Sequence, residues 1–517
     1  MIDPRPGRLG LVLLFHHRLP SLGMSVGADW ACRAVEYDWP TLLAIESAVS
    51  KSPEHGLTVA VSPAWTALAN DPVAQSLVRW ELVRRAEEAP GEAERARRRH
   101  LNDQVLGRLR LDAVGLLSRL ARSGAIELVA AAASHAWLPN FESSRVFLNA
   151  AVGAALNDHA RAYGLASDGF VCPFGGVFPT LDRVVARFGA RYQLVEADTL
   201  TRGGQTPPGG CAGVLIASTG VASLGIDPVP TAPLIDPDQP GVAWLEDAGD
   251  PVETRSDGPH PRTHAHDHPY PPRWSTSPSL GILDADSDQL AAALAEGFLA
   301  RWATRVDHES KRLHPLTPDD PPPLGLTLVS ARDLGGRFAV GAGWLGHVLT
   351  KLGRREISPA LTSRWRGVTP GRFLDDHPAA VLGRPGPSLG EWWSVRPGDS
   401  NLVEECRRAA DRLAERLETL APLLRPASRQ PNDAVIIKRI LACMTKQMLL
   451  AASIDWSSRD GHDLPQRVAL NTAFERLDAF AELDAMLSAR CVDLERLDAL
   501  NSGPAFLPDL DLDALMV

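Results

Sequence analysis

The chain has 517 residues, a net charge of −10, 44% apolar residues and 22% charged residues. That is more than one ordinary domain holds, in a mixture that builds a packed core rather than a disordered chain. The excess of acid removes the usual electrostatic drive for binding nucleic acid or an anionic membrane.

The first apolar run, residues 9–15 (LGLVLLF), is followed by His16, His17 and Arg18. It is short for the core of a signal peptide, and no stretch has membrane-spanning length, so a cytoplasmic location is expected. Similar runs follow at residues 57–62 (LTVAVS), 126–133 (IELVAAAA), 169–173 (GFVCP), 192–196 (YQLVE), 214–218 (VLIAS) and 324–331 (LGLTLVSA). They are continuous rather than alternating, which marks strands buried on both faces. Helical patterns separate them, for example at residues 105–123 and 145–163. About seven strand–helix alternations predict an α/β fold, a seven-stranded parallel (β/α)7 barrel.

Two stretches break this rhythm. Residues 80–100 are charge-rich and predict a solvated helical excursion. Residues 201–278, with the tract HPRTHAHDHPYPP, read as a long Pro- and His-rich mobile insertion. After about residue 400 three amphipathic helical patterns follow, at 402–424, 434–453 and 464–488. The expected division is a barrel over residues 1–385 and a C-terminal helical domain over 386–517.

Six cysteines lie scattered without CxxC spacing, which fits a reduced compartment and excludes a zinc ribbon. The Gly pairs at 203–204, 209–210 and 335–336 lack the spacing of a phosphate loop. His260, His264, His266 and His268 read as a solvated tract rather than a metal site. No metal and no cofactor is expected.

A barrel of this kind carries its working residues at the C-terminal ends of the strands. Those ends are His16 and His17, Ser62, His135, Phe174, Glu196, Ser218 and Asp333. Five segments in this order resemble glycoside hydrolase family 57, and most of all its α-1,4-glucan branching enzymes. Residues 15–20 (FHHRLP) resemble the family's opening His-x-His-Leu-Pro. Residues 124–139 (GAIELVAAAASHAWLP) resemble its second motif, with His135 kept. Residues 168–181 (DGFVCPFGGVFPTL) match its Gly-Ile-Trp-Leu-Pro-Glu-Cys-Ala-Tyr segment in frame. Residues 326–334 (LTLVSARDL) match the strand that ends in Asp-Ala-Glu-Leu, and residues 446–456 (KQMLLAASIDW) the helix that ends in Ser-Asp-Trp. Weaker echoes are residues 368–378 (VTPGRFLDDHP) and 388–391 (SLGE, for Ser-Trp-Gly-Glu). The resemblance implies a seven-stranded barrel with a helical C-terminal part, acting on α-glucans with retention of configuration.

Retention requires two carboxyl groups about 5–5.5 Å apart, one as nucleophile and one as acid/base. By the resemblance the nucleophile position is Phe174 and the acid/base position is Asp333. Phenylalanine cannot form the glycosyl ester. Arg18 stands where the first motif has its second His, Val171 replaces a Trp, and Leu389 replaces the Trp of Ser-Trp-Gly-Glu. The departures cluster at positions that touch sugar.

Each candidate also has a plainer reading. Asp333 would equally cap the turn after a strand. Glu196 is a weak substitute for the nucleophile, and more readily a structural or hydroxyl-binding carboxylate. His16 and His135 would contact sugar or serve as structural histidines. Trp137 fits the core better than a stacking surface, whereas Asp455 and Trp456 fit the cleft. The expected function is a catalytically impaired, branching-enzyme-like protein of α-glucan or glycogen metabolism, binding an α-glucan or maltooligosaccharide and open to a protein partner. The alternatives are an active glucanotransferase with a displaced nucleophile such as Glu246, a metal-dependent polysaccharide deacetylase, and a non-catalytic interaction protein.

Overall fold

The computed structural model describes residues 7–20, 28–51, 55–227, 286–312, 316–317, 319–334, 341–355, 365–378, 381–388, 400–424, 431–453 and 466–516. Among the described residues ten strands follow in chain order: β1 (Gly7–Phe15), β2 (Leu57–Val61), β3 (Glu127–Ala131), β4 (Gly169–Val171), β5 (Tyr192–Glu196), β6 (Val214–Ile216), β7 (Ala222–Ile226), β8 (Leu324–Ser330), β9 (Trp365–Gly367) and β10 (Val381–Leu382). Seven of them, β1 to β5 with β7 and β8, run parallel and close on themselves, because β8 pairs with both β7 and β1.

The continuous apolar runs follow from this closure. Along β1, Leu9, Leu11, Leu13 and Phe15 pack outward on the helices, while Val12 and Leu14 join a separate inner cluster with Ala60, Val129, Val171, Leu194, Leu224 and Leu326. Both faces of each strand are covered, so neither is polar. At the N-terminal end of the barrel, β9 pairs with the start of β1 and leads into the helix Pro370–Asp376. Phe373 and Leu374 from that helix complete the inner cluster. Glu127 accepts the Gly371 N–H at 3.1 Å and the Thr58 hydroxyl at 3.1 Å, which ties this plug to β2 and β3. The segment 368–378 therefore closes the barrel floor.

The sixth barrel strand differs from expectation. Residues 214–218 form β6, which runs antiparallel to β7, and β7 itself pairs with β5. The two arms form a tight hairpin in which Ala217 N–H donates to Val221 O, and Gly220 supplies the positive φ of 87°. The first arm is the more apolar, but only the second has the direction that a parallel barrel needs. Residues 201–227 accordingly belong to the barrel. The rest of the expected insertion, with the His260–His268 tract, lies outside the described residues.

The charge-rich excursion folds as the helices Pro72–Glu87 and Gly91–Asn102, the second of which buries no residue. The pattern at 105–123 breaks into a π-helical turn, Asp103–Arg108, and the helix Ala113–Arg122, separated by Arg110 and Leu111 at φ 54° and 61°. Near the C-terminus come the helices Ser400–Leu424, Pro431–Ala451, Gln466–Ala489 and Leu494–Leu500. Their apolar sides share one cluster with the helices around the barrel. Asn149 Nδ2 donates to Leu515 O at 3.0 Å, and Arg407 Nε to Asn140 O at 2.7 Å. Among the described residues no helix is long and apolar enough to cross a membrane.

Candidate functional site at the barrel mouth

The C-terminal ends of β1, β3 and β4 bring three rings into one column. His135 lies between His16, with ring centroids 4.2 Å apart, and Phe174, at 4.3 Å and an interplanar angle of 27°. All three residues are partly exposed. Phe174 sits in a turn, Pro173–Gly175, where its backbone is left-handed at φ 52°. Gly175 follows at φ 65°, and a Cβ there would lie 2.5 Å from the Glu196 nitrogen. The turn thus rests directly on the end of β5. On its other side the Trp137 ring covers Gly176, where a Cβ would lie 2.8 Å from it. Trp137 is only 7% exposed, so it supports the turn from the core. His17 meets Trp30 edge-on at 4.9 Å.

Glu196 shares the inward parity of Tyr192 and Leu194 but is fully buried. Its Oε2 accepts the Ser388 hydroxyl, and Ser388 N–H donates to Val177 O at 2.9 Å. Residues 381–388 reach it as a strap, held by Gly383 N–H on Ile216 O and Gly386 N–H on Thr199 O, and by Arg384 Nε 3.1 Å from Asp182. No part of Glu196 is exposed toward the mouth. Two other acids after barrel strands also serve protein cations: Asp198 pairs with Arg202, and Asp227 with Arg305.

The remaining sequence candidates fall as follows. Asp333 lies in the turn Ala331–Leu334 directly after β8, at the same end of the barrel as the ring column, and its side chain lies outside the described residues. Asp455, Trp456, Leu389 and Glu246 also lie outside them. Ser62 is buried and caps the helix Pro63–Asn70, accepting from Trp65 N–H at 3.3 Å. Ser218 follows β6 at the opposite end of the barrel from the mouth, because that strand runs antiparallel to β7. The expectation that it borders the site is corrected. Among the described residues no group of three metal-ligating side chains occurs.

Sequence reasoning missed two features near the mouth. Ser388 was visible only as the first residue of the SLGE echo, with nothing to pair it to Glu196. Asp38 ends a π-helical segment, Ala34–Asp38, that packs against the Ala331–Leu334 turn. Its Oδ2 accepts Trp65 Nε1–H at 2.9 Å. Desolvation pushes this half-buried carboxyl up to about 7, against the Trp65 hydrogen bond and the charge of Arg33. A single acid inside a helical pattern carries no sequence signal of that kind.

No family model matches the chain, and no curated protein matches it by sequence. Solved structures do match. The α-amylase AmyC of Thermotoga maritima superimposes with a TM-score of 0.76 at 16% identity, over 99% of each chain. A GH57-type branching enzyme of Pyrococcus horikoshii gives 0.71 at 16% identity, over 99% of this chain and 97% of the other. A GH57 branching enzyme of Thermococcus kodakaraensis, solved in complex with glucose, gives 0.70 at 16% identity, over 99% and 96%. The fold is thus shared along the whole chain with enzymes of the family that the sequence motifs resemble.

Proposed function

We propose that this protein is an α-glucan-binding relative of the family 57 branching enzymes whose sugar-transferring chemistry is silenced at Phe174. The observation that carries this reading is the Phe174 ring, seated after β4 and stacked on His135 at the barrel mouth. A retaining mechanism needs a carboxylate able to form a glycosyl ester, and a benzyl side chain has no such oxygen. Glu196, the weak substitute, is occupied by Ser388 and buried. The column of His16, His135 and Phe174 keeps the features of a sugar-binding surface, ring faces with imidazole hydrogen-bonding groups at their edges. Asp333 would then border the ligand as a remnant acid, and the site would lie in the barrel unit of residues 1–385. All six cysteines are free thiols, which supports a reduced, cytoplasmic setting for a role in glycogen metabolism.

Isothermal titration with maltooligosaccharides and with glycogen tests the binding half, and heat with a fitted Kd below the millimolar range is expected. Silence at millimolar oligosaccharide ends the proposal. Incubation with amylose tests the catalytic half: no new α-1,6 branches should form, and their appearance would establish a working glucanotransferase instead.

A further inference from the structure

Arg476 lies on the helix Gln466–Ala489 and is only 6% exposed. Its Nη1 donates to Gln447 Oε1 at 2.9 Å and its Nη2 to the Pro20 carbonyl, while the buried Nε has no acceptor among the described residues. Both acceptors are neutral, and no carboxylate pairs with it among the described residues. Burial pushes the guanidinium down to about 10, which leaves it charged at neutral pH. A buried charge whose direct partners are neutral is a net cost to folding. What arginine supplies in return is a rigid planar fork of donors that holds two acceptors at a fixed separation, which lysine and neutral side chains cannot do.

The two acceptors belong to different parts of the molecule. Gln447 lies on the helix Pro431–Ala451, and its Nε2 donates to Leu500 O at 3.2 Å, extending the network to the end of the helix Leu494–Leu500. Pro20 is the last described residue of the loop that leaves β1 and carries His16 and His17. Proline has no N–H, so its carbonyl is the group by which the backbone can be held at that point. The bond spans 456 residues of sequence and joins the C-terminal helices to the loop at the mouth.

We infer that Arg476 is a positioning residue: it fixes the loop His16–Pro20, and through it the His16 end of the ring column. The ligand half of the following test rests on the glucan reading, and the loop half stands without it.

In the full-length chain, Arg476→Met and Arg476→Lys are compared with the unaltered protein by amide hydrogen exchange and by maltooligosaccharide titration. In the Met variant the amides of residues 16–19 should exchange about tenfold faster, with the helices Pro431–Ala451 and Gln466–Ala489 keeping their protection. Maltooligosaccharide Kd should rise about tenfold in the Met variant, and Lys should restore part of both effects. Unchanged exchange in the loop, or protection lost evenly across the C-terminal helices, would overturn the inference and leave Arg476 as a mere tie between helices. Where the Met variant does not fold, the Lys variant reads the same quantities. If the unaltered protein takes up no glucan, the functional proposal falls while the exchange data still decide the role of Arg476.

Discussion

Phe174 occupies a left-handed backbone conformation at φ 52°, which costs a residue with a Cβ roughly 1–2 kcal/mol. Stacking on His135 offsets about 0.5–1.5 kcal/mol of that. The two terms nearly cancel, so Phe174→Gly should leave the melting temperature almost unchanged. Glucan affinity should fall by about fivefold, since the ring is lost from the mouth. Titration calorimetry reads this directly, and undiminished affinity would place the ligand elsewhere. Asp38 gives a second prediction at this scale. Its carboxyl titrates near 7 when folded and at an ordinary 3.8 otherwise. A raised acid pKa means that the folded state holds the proton more tightly, so stability is full below about pH 4 and declines as pH rises toward 7. Asp38→Asn keeps an acceptor for Trp65 and removes that decline. It should raise the melting temperature at pH 8 by about 2 °C and leave it unchanged at pH 4. Neither effect is legible in the sequence, because a left-handed phenylalanine and a desolvated aspartate are defined by what surrounds them.

At the scale of single elements, the helix Pro72–Glu87 shows how little a charge count reveals. Residues 80–100 look uniformly solvated, and the helix Gly91–Asn102 meets that expectation. Glu81 does not. It is buried, accepts from Arg84 at 2.9 and 2.8 Å and also from Arg85, and receives the Cys32 thiol at 3.4 Å. Burial alone would push this carboxyl up, but the bonds from the two arginines outweigh it and hold the group at about 2. A depressed acid pKa gives stability that is present above the unfolded value of 4.5 and lost as pH falls toward 2. Glu81→Gln should therefore cost about 2–3 kcal/mol at pH 7, a loss that shrinks as pH falls below 4.5. Urea unfolding at pH 7 and at pH 4 distinguishes this from a pH-independent packing defect. The hairpin of β6 and β7 teaches the same lesson for strands. Apolar content identified the first arm, but strand direction, set by a two-ended turn, decided which arm enters the barrel.

For the molecule as a whole, two buried histidines set the acid limit. His55 and His159 have no hydrogen-bond partner at either ring nitrogen among the described residues, and burial pushes both down to about 4. Each is held neutral by the fold, so stability is lost as pH falls from 6.5 toward 4, where the unfolded chain binds protons that the folded chain refuses. His159→Leu removes one such burden. It should add about 2 kcal/mol at pH 5 and little at pH 8, as measured by denaturant midpoints. The C-terminal residues give a second global test. Phe506, Leu507, Leu512 and Leu515 are buried, and the Leu515 carbonyl satisfies Asn149 on the helical layer around the barrel. Deleting residues 506–517 should cost several kcal/mol and unfold the barrel and the C-terminal helices in one transition, because they share a core. Two separate transitions would contradict that coupling.

By itself the sequence determined the parallel barrel and the helical C-terminal part. Period, run length and motif order are local properties, and each strand announces its burial through its own residues. It also carries the motif frame from which Phe174 is proposed as the counterpart of the resembled family's nucleophile. Only the tertiary structure decided that Glu196 spends its carboxylate on Ser388, that His135 is sandwiched between His16 and Phe174, that Ser218 faces the floor, and that Arg476 reaches Pro20. Each of these is a pairing between residues far apart in the chain. Side-chain protons, ring stacking and buried charge depend on distances of a few ångströms, and those are fixed when the barrel closes and the C-terminal helices dock.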